Sequence, residues 1–193
     1  MSVWKIDDVS VSELRDRYSK AEFVCLKKFI PTSIASFWEL LHRTCPPSRH
    51  VYVGKKSDIN WIEQYFDISS QAFDGLAVDE NFKSLICQIS GLHSINDEWT
   101  QVWINRYIPG DYVPCHTDTS GDTQFLLCLQ ELPISGLGGN LYINKEEIKL
   151  RTGDAVLFKA NKLAHGTTLI DSAQWSESGY SRVIGVIRFF SHK

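Results

Sequence analysis

Apolar residues recur at helical spacing in the first half of this chain and in short β-rich runs in the second, with the change near residue 98. "SVSELRDRYSK" predicts a helix opening at Ser10 or Ser12, and "EFVCLKKF" a strand behind it. "PTSIASFWELLHRTC" predicts a second helix, capped by Thr32 or Ser33, with Ile34, Phe37, Trp38 and Leu41 on its apolar face. The clearest helix is "DENFKSLICQISG": Asp79 is the cap, Phe82, Leu85, Ile86 and Ile89 share a face, and Gly91 terminates it. Between these two helices, "PPSRHVYVGKKSDINWIEQYFD" has no clean period and predicts a long excursion. Its "WIEQYF" reads either as a lid over a site or as a short amphipathic helix on the core.

Beyond residue 98 come "EWTQVWINRYI", "TQFLLCLQEL", "NLYIN", "EEIKL", "DAVLFKA", "HGTTLI" and "SRVIGVIRFF", separated by "PGD", "SGD", "SGLGG", "NK" and "TGD". Short strands alternating with turn residues predict a sandwich or barrel, and a jelly roll fits the number of runs. The expectation is one α+β domain over 1–193: helical support with a lid in 1–97, and a jelly-roll core in 98–191.

Composition narrows the function classes. A chain of 193 residues with 12% aromatics and six tryptophans has the material for a packed core. The formal net charge of -3 offers no electrostatic footprint for a nucleic-acid backbone. The five cysteines are scattered without a CxxC pair, which points away from a structural zinc site or a disulfide framework. No opening apolar segment and no run long enough for a membrane span are visible, so a reduced cytoplasmic protein that does not engage membranes is expected.

The chemistry concentrates around "PCHTDTSGD". On a strand, residues two apart point the same way, so His116 and Asp118 would face one point and supply two ligands of a facial triad. His165, in "KLAHGTTLI", opens a late strand and is followed by Gly166, which permits close approach; of the six histidines it is the natural third ligand. Taken alone, an HxD is common by chance and His165 is an ordinary core histidine. The final strand changes the weighing, because Arg182 and Arg188 share parity with Ile184 and Val186 and therefore need anions on an otherwise apolar face. Either arginine would be satisfied by a nearby Asp or Glu, or the two by a dicarboxylate. Trp103, Asn105 and Tyr107 alternate onto one face of "WINRY", as an aromatic cluster or as hydrogen-bonding groups for that acid.

Taken together, these residues resemble those of the Fe(II)- and 2-oxoglutarate-dependent oxygenases, whose fold is a double-stranded β-helix. The likeness covers roughly residues 98–190, including "GGNLYIN" and "LRTGDAVLF". It implies Fe(II) on His116, Asp118 and His165, with 2-oxoglutarate as cosubstrate and O₂ as oxidant. "INRYIPGDYVPCHTD" with "RVIGVIR" is similar to the AlkB-type dealkylases, which implies that Asn105, Tyr107, Arg182 and Arg188 contact 2-oxoglutarate. The pattern departs from that branch at Ile184 and Gly185, where those proteins carry Asn and Thr. "HTDTSGDTQFLLCLQ" instead looks like the segment of biosynthetic small-molecule hydroxylases. The resemblance thus implies hydroxylation of a small molecule with release of succinate and CO₂. An AlkB-like dealkylase of nucleic-acid bases and a non-catalytic cupin-like binding module stand as alternatives. Trp103, Gln124 and Trp61 are the residues expected to line the substrate.

Overall fold

The strands read from "TQFLLCLQEL" and "SRVIGVIRFF" are apolar at nearly every position because each is covered on both faces. In the computed structural model the described residues are 3–6, 9–45, 49–55, 59–65, 72–132, 136–171 and 181–192, with 49–55 and 59–65 described by backbone alone. Three α-helices, α1 (Val11–Ala21), α2 (Thr32–Thr44) and α3 (Glu80–Ser90), and a 3-10 helix at Phe73–Val78 accompany the strands. These are β1 (Phe23–Leu26), β2 (Arg49–Lys55), β3 (Ile59–Tyr65), β4 (Gln101–Tyr107), β5 (Thr123–Gln130), β6 (Leu141–Ile143), β7 (Glu146–Ile148), β8 (Ala155–Phe158), β9 (His165–Thr167) and β10 (Arg182–Phe189). The large sheet runs β1-β8-β5-β10-β4-β3-β2 and the small one β7-β6-β9, with antiparallel pairing throughout.

Alternation along β5 and β10 builds two cores. Phe125, Leu127 and Leu129, with Val183, Ile187 and Phe189, pack toward Leu14, Tyr18, Phe82 and Ile86 of the helices. Leu126, Cys128, Ile184 and Val186 face the other way, against Leu141, Ile143 and Ile148 of the small sheet. The result is three layers, helices, large sheet and small sheet, in a double-stranded β-helix whose candidate site lies between the sheets. No helix among the described residues is long and apolar enough to cross a membrane.

Local chemistry accounts for most boundaries. Ser10 Oγ accepts from Glu13 N (3.2 Å) at the start of α1, and Asp79 Oδ1 from Phe82 N (2.9 Å) at the start of α3. Gly91, at φ 78°, closes α3 in the left-handed region. Helix α2 departs from expectation. Its N-cap is Pro31, which has no side-chain acceptor, rather than Thr32 or Ser33; Thr32 is the first helical residue and its hydroxyl donates to Thr152 O (3.4 Å). Its buried face is Ala35, Trp38, Glu39 and His42, while Phe37 is 51% exposed. The face is turned because Glu39 carries ion pairs to Arg43 (3.4 Å) and to Arg106 of β4 (3.5 Å).

Within the segment expected to be an excursion, the described residues form strands, so Trp61 to Tyr65 is not an amphipathic helix; Phe66 lies outside the described residues. Strand β2 pairs with β3 over seven positions, and β3 adds to β4 with Glu63 opposite Asn105. Its runs are β-branched and aromatic, which suits a sheet edge. The first 97 residues therefore contribute strands to the sheet as well as helices.

Burial of His42 carries a pH consequence. The imidazole is 5% exposed, and burial, with the Arg106 charge added, pushes its pKa from 6.5 down to about 4. Above pH 6.5 the ring is neutral in folded and unfolded chains and contributes no pH dependence. Between 6.5 and 4 the unfolded chain takes up a proton that the folded one refuses, so stability falls as pH falls, by about 3 kcal/mol in all. Urea unfolding of wild type and His42→Gln at pH 7, 6 and 5 checks this. The wild type should lose more stability than the variant at each step down, and parallel curves would refute the assignment.

Candidate active site

The proximal pair does not lie on a named strand. His116 meets His165 in an isolated antiparallel bridge, with His116 N donating to His165 O (2.9 Å) and His165 N to His116 O (2.8 Å). Asp118 N donates to Ala160 O (2.9 Å), which fixes the next ligand. Gly166 makes this docking feasible: a Cβ there would lie 2.7 Å from Val113 O and 3.1 Å from Cys115 N and Cα. The three side chains consequently converge, each offering a ligand atom within 4.8 Å of the others.

Both imidazoles have their tautomer set by the backbone. His116 Nδ1 lies 2.8 Å from Pro114 O and His165 Nδ1 2.9 Å from Leu163 O. A carbonyl only accepts, so Nδ1 carries a proton in each ring and Nε2 is the nitrogen turned inward; in His116 that nitrogen holds either a second proton shared with Asp118 or, once it is lost, a metal. Asp118 turns Oδ1 toward His116 Nε2 (3.4 Å) and Oδ2 toward Arg188 Nη2 (2.6 Å).

Burial alone would raise the Asp118 pKa, but the bond from His116 and the charges of Arg188, His165 and His116 outweigh it and hold the carboxyl below its usual range. Burial drives His165 the other way, toward the neutral ring, against the pull of the Leu163 carbonyl. The hydrogen bond to Asp118 raises the His116 pKa, with burial opposing, so a cation at this ring competes with a proton. An ionised carboxylate and two imidazoles with Nε2 aimed inward fit a divalent metal of the Fe(II) type, bound on one face and open on the other.

Arg188 is committed to this centre. Its Nε donates to Gln124 Oε1 (3.1 Å), its Cζ lies 5.1 Å from the Trp103 ring centroid, and its stem rests on the turn at Gly121. At Gly121, φ +84°, a Cβ would lie 2.6 Å from Arg188 Cγ. A second chain of bonds runs along β4: Trp103 Nε1 donates to Asn105 Oδ1 (2.9 Å), and Asn105 Nδ2 donates to Tyr107 Oη (2.9 Å).

Arg182 differs from Arg188. It is 6% exposed, faces Tyr107 across the β10–β4 pair, and its Nη1 has no hydrogen-bond partner. No carboxylate among the described residues pairs with it. Its neighbour Cys128 is a thiol that burial pushes up to about 12, against the pull of Arg182, so it supplies no charge. A buried guanidinium with an orphaned nitrogen, opening into a pocket, is the feature a carboxylate ligand would satisfy.

All of this surrounds one cleft. Nine of the residues singled out in the sequence line it: His116, Asp118, His165, Asn105, Tyr107, Arg182, Arg188, Trp103 and Gln124. Trp61 falls on β3, where side chains lie outside the described part. Sequence reasoning missed the apolar wall of Val113, Leu126, Leu141 and Leu150. Strand parity with Gln124 would have found Leu126, whereas Leu141 and Leu150 reach the cleft only because the sheets face each other.

The sequence matches no protein-family model and no curated protein sequence. The backbone does match solved structures. A Pseudomonas putida prolyl-4-hydroxylase superposes with a TM-score of 0.70 at 17% identity, over 95% of this chain and 100% of that one. An oxidoreductase of the 2OG-Fe(II) oxygenase family from Burkholderia pseudomallei gives 0.70 at 12%, over 98% and 95%. HygX from Streptomyces hygroscopicus, solved with nickel and 2-oxoglutarate bound, gives 0.68 at 11%, over 95% and 88%. At these identities the likeness establishes the fold and leaves function to be argued from the site.

Proposed function

We propose that this chain is an Fe(II)- and 2-oxoglutarate-dependent oxygenase that hydroxylates a C–H bond of a small molecule, releasing succinate and CO₂. The observation that carries the reading is the joint presence, in one cleft, of a converged His-Asp-His set and a buried guanidinium with no carboxylate partner among the described residues. His116, Asp118 and His165 would hold the metal. Arg182 would take the far carboxylate of 2-oxoglutarate, with Tyr107 opposite it in register. Asn105 orients the Tyr107 hydroxyl by donating to it. Fe(II) held by the triad would let O₂ act as the oxidant, taking two electrons from oxidative decarboxylation of 2-oxoglutarate and two from the substrate C–H bond, with one oxygen atom going to succinate and one to the product.

The chain's own part is orientation and exclusion of water. Arg188 holds Asp118 through one oxygen and leaves the other toward the imidazoles. Leu126, Leu141, Leu150 and Ile184 supply an apolar wall that keeps solvent from the reacting centre. Trp103 and Gln124 pack around Arg188 beside the triad and would be the residues to meet the substrate. A small-molecule substrate suits a cleft that sets a few polar groups into an apolar wall, and the net charge of -3 gives no support for binding phosphate backbones.

The test is succinate formation from 2-oxoglutarate by protein reconstituted with Fe(II) under air, run with and without candidate substrates. Iron-dependent succinate, increased by free amino acids or other small metabolites, supports the proposal. Increase by N-methylated single-stranded DNA alone would move the assignment to the dealkylase reading, and by prolyl peptides alone to a peptide hydroxylase. Failure of the Mn(II)-loaded protein to bind 2-oxoglutarate in calorimetry would leave only a binding module.

A further inference from the structure

A buried cation with no carboxylate beside it among the described residues is drawn toward water, and Arg182 is also the first residue of its strand, where fraying begins. The ladder gives it little help on the β5 side. Val183 pairs with Gln130 and Ile184 with Cys128, so the register skips Leu129 and the pairing ends before Arg182. Yet the guanidinium is held inside the cleft.

What holds it is the residue before it. Gln130 Nε2 donates to Ser181 O (2.8 Å) and Arg106 Nη1 to Ser181 Oγ (2.7 Å). Gln130 comes from β5 and Arg106 from β4, so Ser181, itself buried, is gripped from both strands that flank β10. Arg106 is steadied in turn by Glu39 of α2, at 3.5 Å.

We propose that Gln130, Arg106 and Ser181 form a positioning clamp that keeps the Arg182 guanidinium in the cleft and thereby sets the affinity for the dianionic cosubstrate. The inference rests on the reading of this cleft as a 2-oxoglutarate site. The fold meets the cost of burying the charge before the ligand arrives, which is preorganisation. Without the grip the start of β10 lifts and the guanidinium reaches water. Ligand must then select the minority of molecules in which it points inward, and apparent affinity drops by that fraction.

The experiment compares wild type, the double variant Ser181→Ala/Gln130→Met and the single variant Ser181→Thr, which keeps both the hydroxyl and the carbonyl. Calorimetry on Mn(II)-loaded protein reads the 2-oxoglutarate Kd, a separate titration reads the Mn(II) Kd, and amide exchange reads protection at the start of β10. The double variant should show a 2-oxoglutarate Kd raised about tenfold, an unchanged Mn(II) Kd and faster exchange at 181–183. Ser181→Thr should match wild type. A folded double variant with wild-type 2-oxoglutarate affinity overturns the clamp, as does a parallel loss of Mn(II) affinity, which would mark a general loosening. If wild type itself binds no 2-oxoglutarate, the functional reading fails at the first step and the clamp falls with it.

Discussion

Asp118→Asn is expected to reduce iron-dependent succinate formation by about 10³-fold or more and to weaken Mn(II) binding by at least about 10²-fold. Asp118 is the one anionic member of the converged set, and the two imidazoles alone provide neutral nitrogens. The amide keeps the volume of the carboxylate and loses its charge. It also turns a donor toward a donor if its nitrogen meets Arg188 Nη2, which in the wild type lies 2.6 Å from Asp118 Oδ2. The amide therefore presents its oxygen to Arg188 and its nitrogen to the place where a metal would bind, the reverse of what a cation needs. Calorimetric titration with Mn(II), beside succinate measurement with Fe(II), separates loss of metal from loss of chemistry. Retention of wild-type Mn(II) affinity would mean that Asp118 is a structural partner of Arg188 and that the metal, if any, sits elsewhere.

The converged His-Asp-His set was legible before the fold because the residue types that carry it are scarce. Six histidines leave few ways to complete an HxD, and His165 stands out by the glycine behind it. The reason for the convergence was read less well. Strand parity put His116 and Asp118 on one side, whereas the pair is pinned by a single bridge to His165 and by Ala160 O. Nor could the sequence tell the arginines apart. Both share one face of the last strand, but only the folded chain puts Asp118 beside Arg188 and a neutral thiol beside Arg182.

Distant packing hid the remainder. Periodicity placed Phe37 inside α2 because it ranks apolar residues, while Glu39 and His42 are buried beside Ala35 and Trp38, and Glu39 is ion-paired to Arg106 some sixty residues on. Strands β2 and β3 escaped notice because their runs lack a clean apolar-polar alternation, although β-branched and aromatic residues recur in them. A sheet edge asks for hydrogen-bonding backbone first and for patterning second.

Arg182→Met is expected to change affinity and stability in opposite directions. In the ligand-free protein the guanidinium is buried with Nη1 unbonded and no carboxylate among the described residues to offset its charge. Methionine fills similar space along Ile184 and Leu126 without a charge to desolvate, so the ligand-free variant should be more stable by about 1–2 kcal/mol. The same substitution removes the donor fork for the far carboxylate of 2-oxoglutarate, which should weaken binding by about 10²-fold, or about 3 kcal/mol. Urea unfolding without ligand and calorimetry on the Mn(II)-loaded protein measure the two effects independently. A variant that is less stable and binds 2-oxoglutarate normally would show that Arg182 serves the fold. A variant that is more stable and binds weakly would show a protein that tolerates an uncompensated buried cation because its ligand supplies the missing charge.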